Sequence, residues 1–117
     1  MVSVIIPVYN TDKYLSHCLD SLINQTINKI EIICVNDCSS DNSKEIIKEY
    51  ALKDKRIILV DNKIKHGAGI SRNIGLNIAK GDYVFFMDSD DYISNNFLQE
   101  LYNTAKKYDS DYVSSLN

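Results

Sequence analysis

Four short, nearly unbroken apolar runs alternate along this chain with segments whose apolar residues recur at helical spacing. That alternation leaves few folds open. Val2–Val8 (VSVIIPV), Ile30–Val35 (IEIICV), Ile57–Val60 (IILV) and Tyr83–Met87 (YVFFM) read as strands, the first two buried on both faces. Between them, Tyr14, Leu15, Cys18, Leu19, Leu22 and Ile23 predict one helix, and Ile46, Ile47, Tyr50 and Ala51 a second. Ile70, Ile74 and Ile78 predict a third, and Phe97, Leu98, Leu101, Tyr102 and Ala105 turn a last helix inward. Asn10, Thr11 and Asp12 offer a cap to the first helix and Ser39, Ser40 and Asp41 to the second, while Gly81 ends the third. The order is βαβαβαβα, with a fifth strand beginning near Tyr112 and Val113.

Such an order predicts an α/β fold: a doubly wound, mainly parallel sheet with helices on both faces and right-handed crossovers. At 117 residues the chain has the length of one domain. No repeat or linker interrupts it. Its lone proline, Pro7, falls near the end of the first strand, where a missing N–H is tolerated.

Charge and cysteine usage narrow the partners. Thirteen basic against sixteen acidic side chains give a net charge of −3, and there is no basic run. Binding driven by a nucleic-acid backbone or an acidic membrane surface is therefore not expected. Cys18, Cys34 and Cys38 are odd in number and form no CxxC pair, so they read as reduced packing residues and not as zinc ligands. With no charged leader before the first strand, the expectation is a cytoplasmic protein, free or at the inner face of the membrane.

In sheets of this kind ligands sit outside the carboxyl ends of the strands. Four segments converge there: Pro7 to Asn10, Asn36 to Cys38, the Asp61–Gly69 loop leading to Arg72, and Asp88 to Asp91. Asp88, Asp90 and Asp91 repel one another unless a cation joins them, and Mg²⁺ or Mn²⁺ favours such hard oxygen ligands. The plainer reading is a solvated acidic loop that caps the next helix. Arg72, behind the Gly67-Ala68-Gly69 turn at a helix start, suits a phosphate, or else pairs with a nearby acid. Tyr9 is placed to stack on a planar base or to be a half-buried core tyrosine, and Asp37 to accept from a base N–H or to close a turn. His66 reads as loop and His17 as surface, while Asn10, Asn36 and Asn73 read as caps or fasteners. The first βα turn lacks glycine, so a dinucleotide site of the usual kind is disfavoured. Together these signals describe a pocket for a nucleoside diphosphate and its metal.

The runs SVIIPVYN (Ser3–Asn10), EIICVNDCSSDNS (Glu31–Ser43), GAGISRNIGL (Gly67–Leu76) and GDYVFFMDSDD (Gly81–Asp91) resemble the amino-terminal half of family 2 glycosyltransferases. The resemblance covers nearly the whole chain. It implies the Rossmann-like nucleotide-binding half of a GT-A fold, a nucleotide-sugar donor (a UDP-sugar above all) and Mn²⁺ or Mg²⁺. Carried over by position, Pro7, Val8 and Tyr9 line the base, with Tyr9 stacking on it, and Asp37 hydrogen-bonds it. Arg72 holds the nucleotide. Asp88, Ser89 and Asp90 match the DXD motif, with Asp88 at the ribose or sugar and Asp90 the foremost metal ligand, joined by Asp88; Asp91 stands behind them. Where many relatives read DDGS, this chain has Asn36, Asp37, Cys38 and Ser39, which alters the turn.

The family's catalytic base lies downstream with the acceptor site, and no residue here matches it. The resemblance thus implies that residues 1–117 are the donor-binding part of an inverting, metal-dependent glycosyltransferase. Its base is expected beyond Asn117, and its acceptor is a saccharide, lipid-linked or protein hydroxyl. Alone, the segment is expected to bind nucleotide and transfer nothing. Family members often build surface polysaccharide. Phosphohydrolases and receiver domains carry their acid pair after the first strand, and here it follows the fourth. The remaining alternative is a non-catalytic nucleotide- or sugar-binding module that associates, as a homo-oligomer or with another protein, through an open sheet edge.

Overall fold

A computed structural model describes residues 1–107, in the order β1 (Val2–Val8), α1 (Asp12–Ile23), β2 (Ile30–Asn36), α2 (Ser43–Lys53), β3 (Ile57–Asp61), α3 (Ala68–Ile78), β4 (Tyr83–Phe86) and α4 (Phe97–Lys107). The fifth strand expected near Tyr112 and Val113, and the sheet edge it implied, lie outside the described residues. All strand pairs are parallel, and the sheet runs β3-β2-β1-β4. β1 and β2 pair over their full length, from Val2 opposite Ile30 to Val8 opposite Asn36. β4 pairs with β1 only as far as Ile5 opposite Phe86. Pro7 lies beyond that last pair, so its missing N–H costs the β1–β4 ladder nothing.

Strand order reverses between β1 and β4. The chain winds one way from β1 to β3 and then returns, and right-handed crossovers therefore place α3 on the opposite face from α1 and α2. Alternation along β1 divides the core accordingly. Val2, Val4, Ile6 and Val8 join Leu15, Leu19, Leu22, Ile47 and Leu98 on one face, while Ile5 joins Ile33, Val35, Val84 and Phe86 on the other. The fold is the doubly wound α/β sheet expected.

Two faces depart from the periodicity. On α1, Tyr14 is exposed and the buried stripe is Leu15, Cys18, Leu19 and Leu22. On α3, Ile70 and Ile78 are exposed, Ile74 is partly buried, and Ser71 and Gly75 face the sheet. The reason is proximity. A Cβ on Gly75 would meet Ile5 Cγ2 at 2.6 Å and Val35 Cγ2 at 3.4 Å, so the helix backbone rests on β1 and β2 through its smallest residues. α3 ends at Ile78 with Ala79 extended. Gly81 serves a different close approach, where a Cβ would stand 2.6 Å from Ser3 Oγ and 2.7 Å from Met1 O. No helix of the described residues is long and apolar enough to cross a membrane.

Candidate functional site

The ends of β1, β2 and β4 and the start of α3 enclose an open cleft of about 190 Å³, beside the β1–β4 reversal where such sheets bind ligands. Pro7, Val8, Tyr9, Asp37, Arg72, Asp88, Ser89 and Asp90 all line it. The structure thus brings together every site residue expected from the sequence. It adds Thr11 and Ala68 to the lining. Thr11 Oγ1 donates to Ser89 Oγ at 2.7 Å, fastening the middle of the acidic segment to the start of α1.

The two helix starts beside the cleft cap each other. The Asp41 carboxylate accepts from Ser43 N at 2.9 Å and from Asp12 N at 3.1 Å, and Asp12 Oδ2 accepts from Asn42 N at 3.2 Å. The N-cap of α2 is Asn42, one residue later than the expected caps, with Asp41 supplying the side-chain acceptor. Burial alone would raise the Asp41 pKa, but the bonds from Ser43 and Asp12 outweigh it and hold it low. Asn10, in the left-handed region at φ 52°, is the fastener expected, its Oδ1 accepting from Ser40 N at 2.8 Å.

Asp37 is buried at the rim. Its Oδ1 accepts from His66 N at 2.8 Å and Asn62 Nδ2 at 3.0 Å, and its Oδ2 from Gly67 N at 2.8 Å. Burial pushes its pKa up, yet these three bonds and the nearby His66 charge leave it below the ordinary carboxylate value. The His66 imidazole is exposed; its main chain is what engages the site. Next along the chain, Cys38 takes φ 63° and donates its thiol to Asn62 O at 3.2 Å. The turn therefore keeps a left-handed conformation without glycine. Cys18 and Cys34 are buried, and burial lifts the Cys34 thiol to about 12, as packing residues behave.

Tyr9 is 44% exposed, with Lys65 Nζ 3.6 Å from its ring centroid, so it is a surface platform and not a core tyrosine. Arg72 Nη2 lies 3.5 Å from Asp88 Oδ1. The two readings of Arg72 thus meet, because the acid it pairs with belongs to the same cleft. Asp88, Asp90 and Asp91 each present a carboxylate oxygen, all within 4.8 Å of one another. Burial, then the charges of Asp90 and Asp88, raise the Asp91 pKa. Three hard oxygen donors this close, with the Asp91 carboxylate disfavoured by its neighbours' charge, fit a divalent cation.

Known proteins match this chain closely. The family model described as glycosyl transferase family 2 matches residues 3–115. Glycosyltransferase GlyG of Streptococcus pneumoniae serotype 4 is 40% identical over 113 residues, covering 97% of this chain and 38% of that protein. The structure is similar to TarS 1–349 of S. aureus in complex with UDP-GlcNAc, with a TM-score of 0.86 and 33% identity over 92% of this chain and 32% of that one. It is also similar to the mannosyltransferase PcManGT of Pyrobaculum calidifontis in complex with GDP-Man and Mn²⁺, with a TM-score of 0.73 and 26% identity over 78% and 28% of the two chains. The chain spans less than two-fifths of the length of each of these proteins.

Proposed function

The chain belongs to glycosyl transferase family 2, and from that premise we propose that its cleft holds the nucleotide-sugar donor, a UDP-sugar, of a metal-dependent, inverting glycosyl transfer. The observation that carries this reading is the convergence of an exposed tyrosine ring, a buried carboxylate, a guanidinium and the Asp88 and Asp90 carboxylates on one cleft at the β1–β4 reversal, with an Asp91 oxygen close to both acids. The ligands named for TarS and PcManGT, UDP-GlcNAc and GDP-Man with Mn²⁺, support the same class of donor.

Each residue then has a physical task. Tyr9 stacks on the base, with Pro7, Val8 and Asp37 lining the same cleft. Asp37 accepts from the base N–H, using the lone pair of Oδ2 that Gly67 leaves free. Arg72 turns its planar donor fork to the diphosphate, and its charge favours the leaving group as negative charge develops there. Asp88 contacts the ribose or sugar, with Ser89 beside it. Asp90, with Asp88, holds Mn²⁺ or Mg²⁺, and Asp91 adds charge from behind. When bound, the cation neutralises negative charge on the diphosphate. Attack at the anomeric carbon needs an acceptor hydroxyl whose proton passes to a general base; none of these 117 residues matches that base, so the chain supplies the donor side. The acceptor, the polysaccharide-building role and a place at the inner face of the membrane belong to this same proposal.

Amide NMR with UDP and a trace of Mn²⁺ tests it. Paramagnetic broadening is expected first at residues 88–91 and then at Arg72, with shifts but little broadening at Tyr9. Broadening centred elsewhere, or none with UDP present, overturns the reading.

A further inference from the structure

Asn62 follows β3 directly, and its polar groups join three parts of the fold. Its N–H donates to Asn36 O at 2.9 Å, and its carbonyl accepts from Cys38 Sγ at 3.2 Å. Its side-chain Nδ2 donates to Asp37 Oδ1 at 3.0 Å and to Ser71 Oγ at 3.3 Å, the latter a fully buried residue of α3. The ends of β2 and β3 and the α3 helix are therefore tied through one amide.

Of the three donors on Asp37 among the described residues, two are main-chain N–H groups, from His66 and Gly67, and the third is the Asn62 side chain. Those bonds take both lone pairs of Oδ1 and one of Oδ2. They also close residues 62–67 into a loop on the carboxylate. Lys65 belongs to that loop, and its ammonium sits on the Tyr9 ring.

We propose that Asn62 is the positioning residue of the base end of the cleft: by donating to Oδ1 it turns the Asp37 carboxylate so that one Oδ2 lone pair faces a pyrimidine N–H. It also fixes the loop that carries Lys65 to Tyr9. This rests on the nucleotide reading given above and extends it to a residue outside the cleft lining. Asn62 acts through Asp37 and touches no ligand itself.

The isosteric variant N62D is the test. It keeps the main-chain bonds of residue 62 and replaces the donor with an acceptor against Asp37 Oδ1. Among the charged groups nearby, Asp61 is paired with Lys44 at 2.8 Å and Arg72 with Asp88, while His66 adds a coulombic pull on Asp37. Both proteins therefore carry His66→Gln, which removes the imidazole whose charge acts on Asp37. Calorimetric titration with uridine is expected to show N62D weaker by about tenfold at about pH 7.5, the loss expected of one hydrogen bond to a charged group. Part of that affinity should return by about pH 5.5, as one of two facing carboxyls takes a proton. The reference protein should stay flat. Equal binding by N62D at the higher pH, or a loss identical at both, overturns the proposal.

A second readout needs no ligand. In N62A the carboxyl carbon of Asp37 should titrate at a higher pH than in the wild type, and an unmoved midpoint overturns the positioning role. Failure of the wild type to bind uridine would count against the nucleotide reading, and the carboxyl titration still judges Asn62.

Discussion

Arg72 Nη2 stands 3.5 Å from Asp88 Oδ1, an ion pair that joins α3 to the segment following β4 across the cleft. The two side chains are 40% and 32% exposed, so the pair adds little stability. Its value is placement. A lysine at position 72 has neither the planar fork nor its two parallel donors. Arg72→Lys is therefore expected to weaken UDP by about tenfold or more, the cost of a charge-assisted contact, while uridine binding stays within twofold. Parallel calorimetric titrations with the two ligands check this.

Tyr9 offers an exposed ring and no buried hydrogen bond among its described contacts. Tyr9→Ala should weaken uridine as well as UDP, by about five- to tenfold, the range of one stacking contact. Tyr9→Phe keeps the ring and should bind like the wild type. Loss confined to ligands carrying a diphosphate would contradict the stacking role.

The acid cluster carries a pH signature. The Asp91 pKa is raised, chiefly by burial and then by Asp90 and Asp88, so the folded chain holds that proton more tightly than the unfolded one. The resulting penalty is fully present above the folded pKa and disappears as the pH falls through it. Without metal, Asp91→Asn should raise the unfolding midpoint at about pH 7 and bring no gain by about pH 3, below the ordinary carboxylate range. Asp90→Ala should leave the fold intact and abolish the rise in midpoint that Mn²⁺ confers on the wild type. Thermal melts with and without Mn²⁺ at the two pH values test both statements.

Gly75 is held by the sheet. A methyl group there would lie 2.6 Å from Ile5 Cγ2, on a side chain that is itself fully buried. The helix propensity of alanine returns up to about 1 kcal/mol, less than overpacking costs. Gly75→Ala should therefore lose about 1–2 kcal/mol net in urea unfolding.

Large apolar side chains made most of the fold legible in the sequence. The run from Val2 to Val8 is the strand observed, and the βαβ order dictates both the winding and the rim where the site lies. α3 was less legible. Hydrophobic period weights Ile70 and Ile78, but the sheet selects Ser71 and Gly75 because a close backbone approach needs small residues. All eight expected site residues share one cleft, since each lies at or just past the carboxyl end of a strand, or near the start of a helix, at the same sheet end. Thr11 and Asn62 were not singled out. Thr11 reads as a helix cap and Asn62 as a loop residue, and their bonds to Ser89 and Asp37 span chain separations that no local pattern records. Their only sequence signal is position, just past the ends of β1 and β3.

Calorimetric titration of this chain with UDP, with and without Mn²⁺ and with GDP as the competitor, tests the central claim most directly. The account predicts UDP binding that strengthens at least tenfold with Mn²⁺, since Asp90 and Asp88 would hold a cation that offsets the diphosphate charge, with GDP displacing it poorly. UDP binding indifferent to Mn²⁺, or no binding with the metal present, would contradict it.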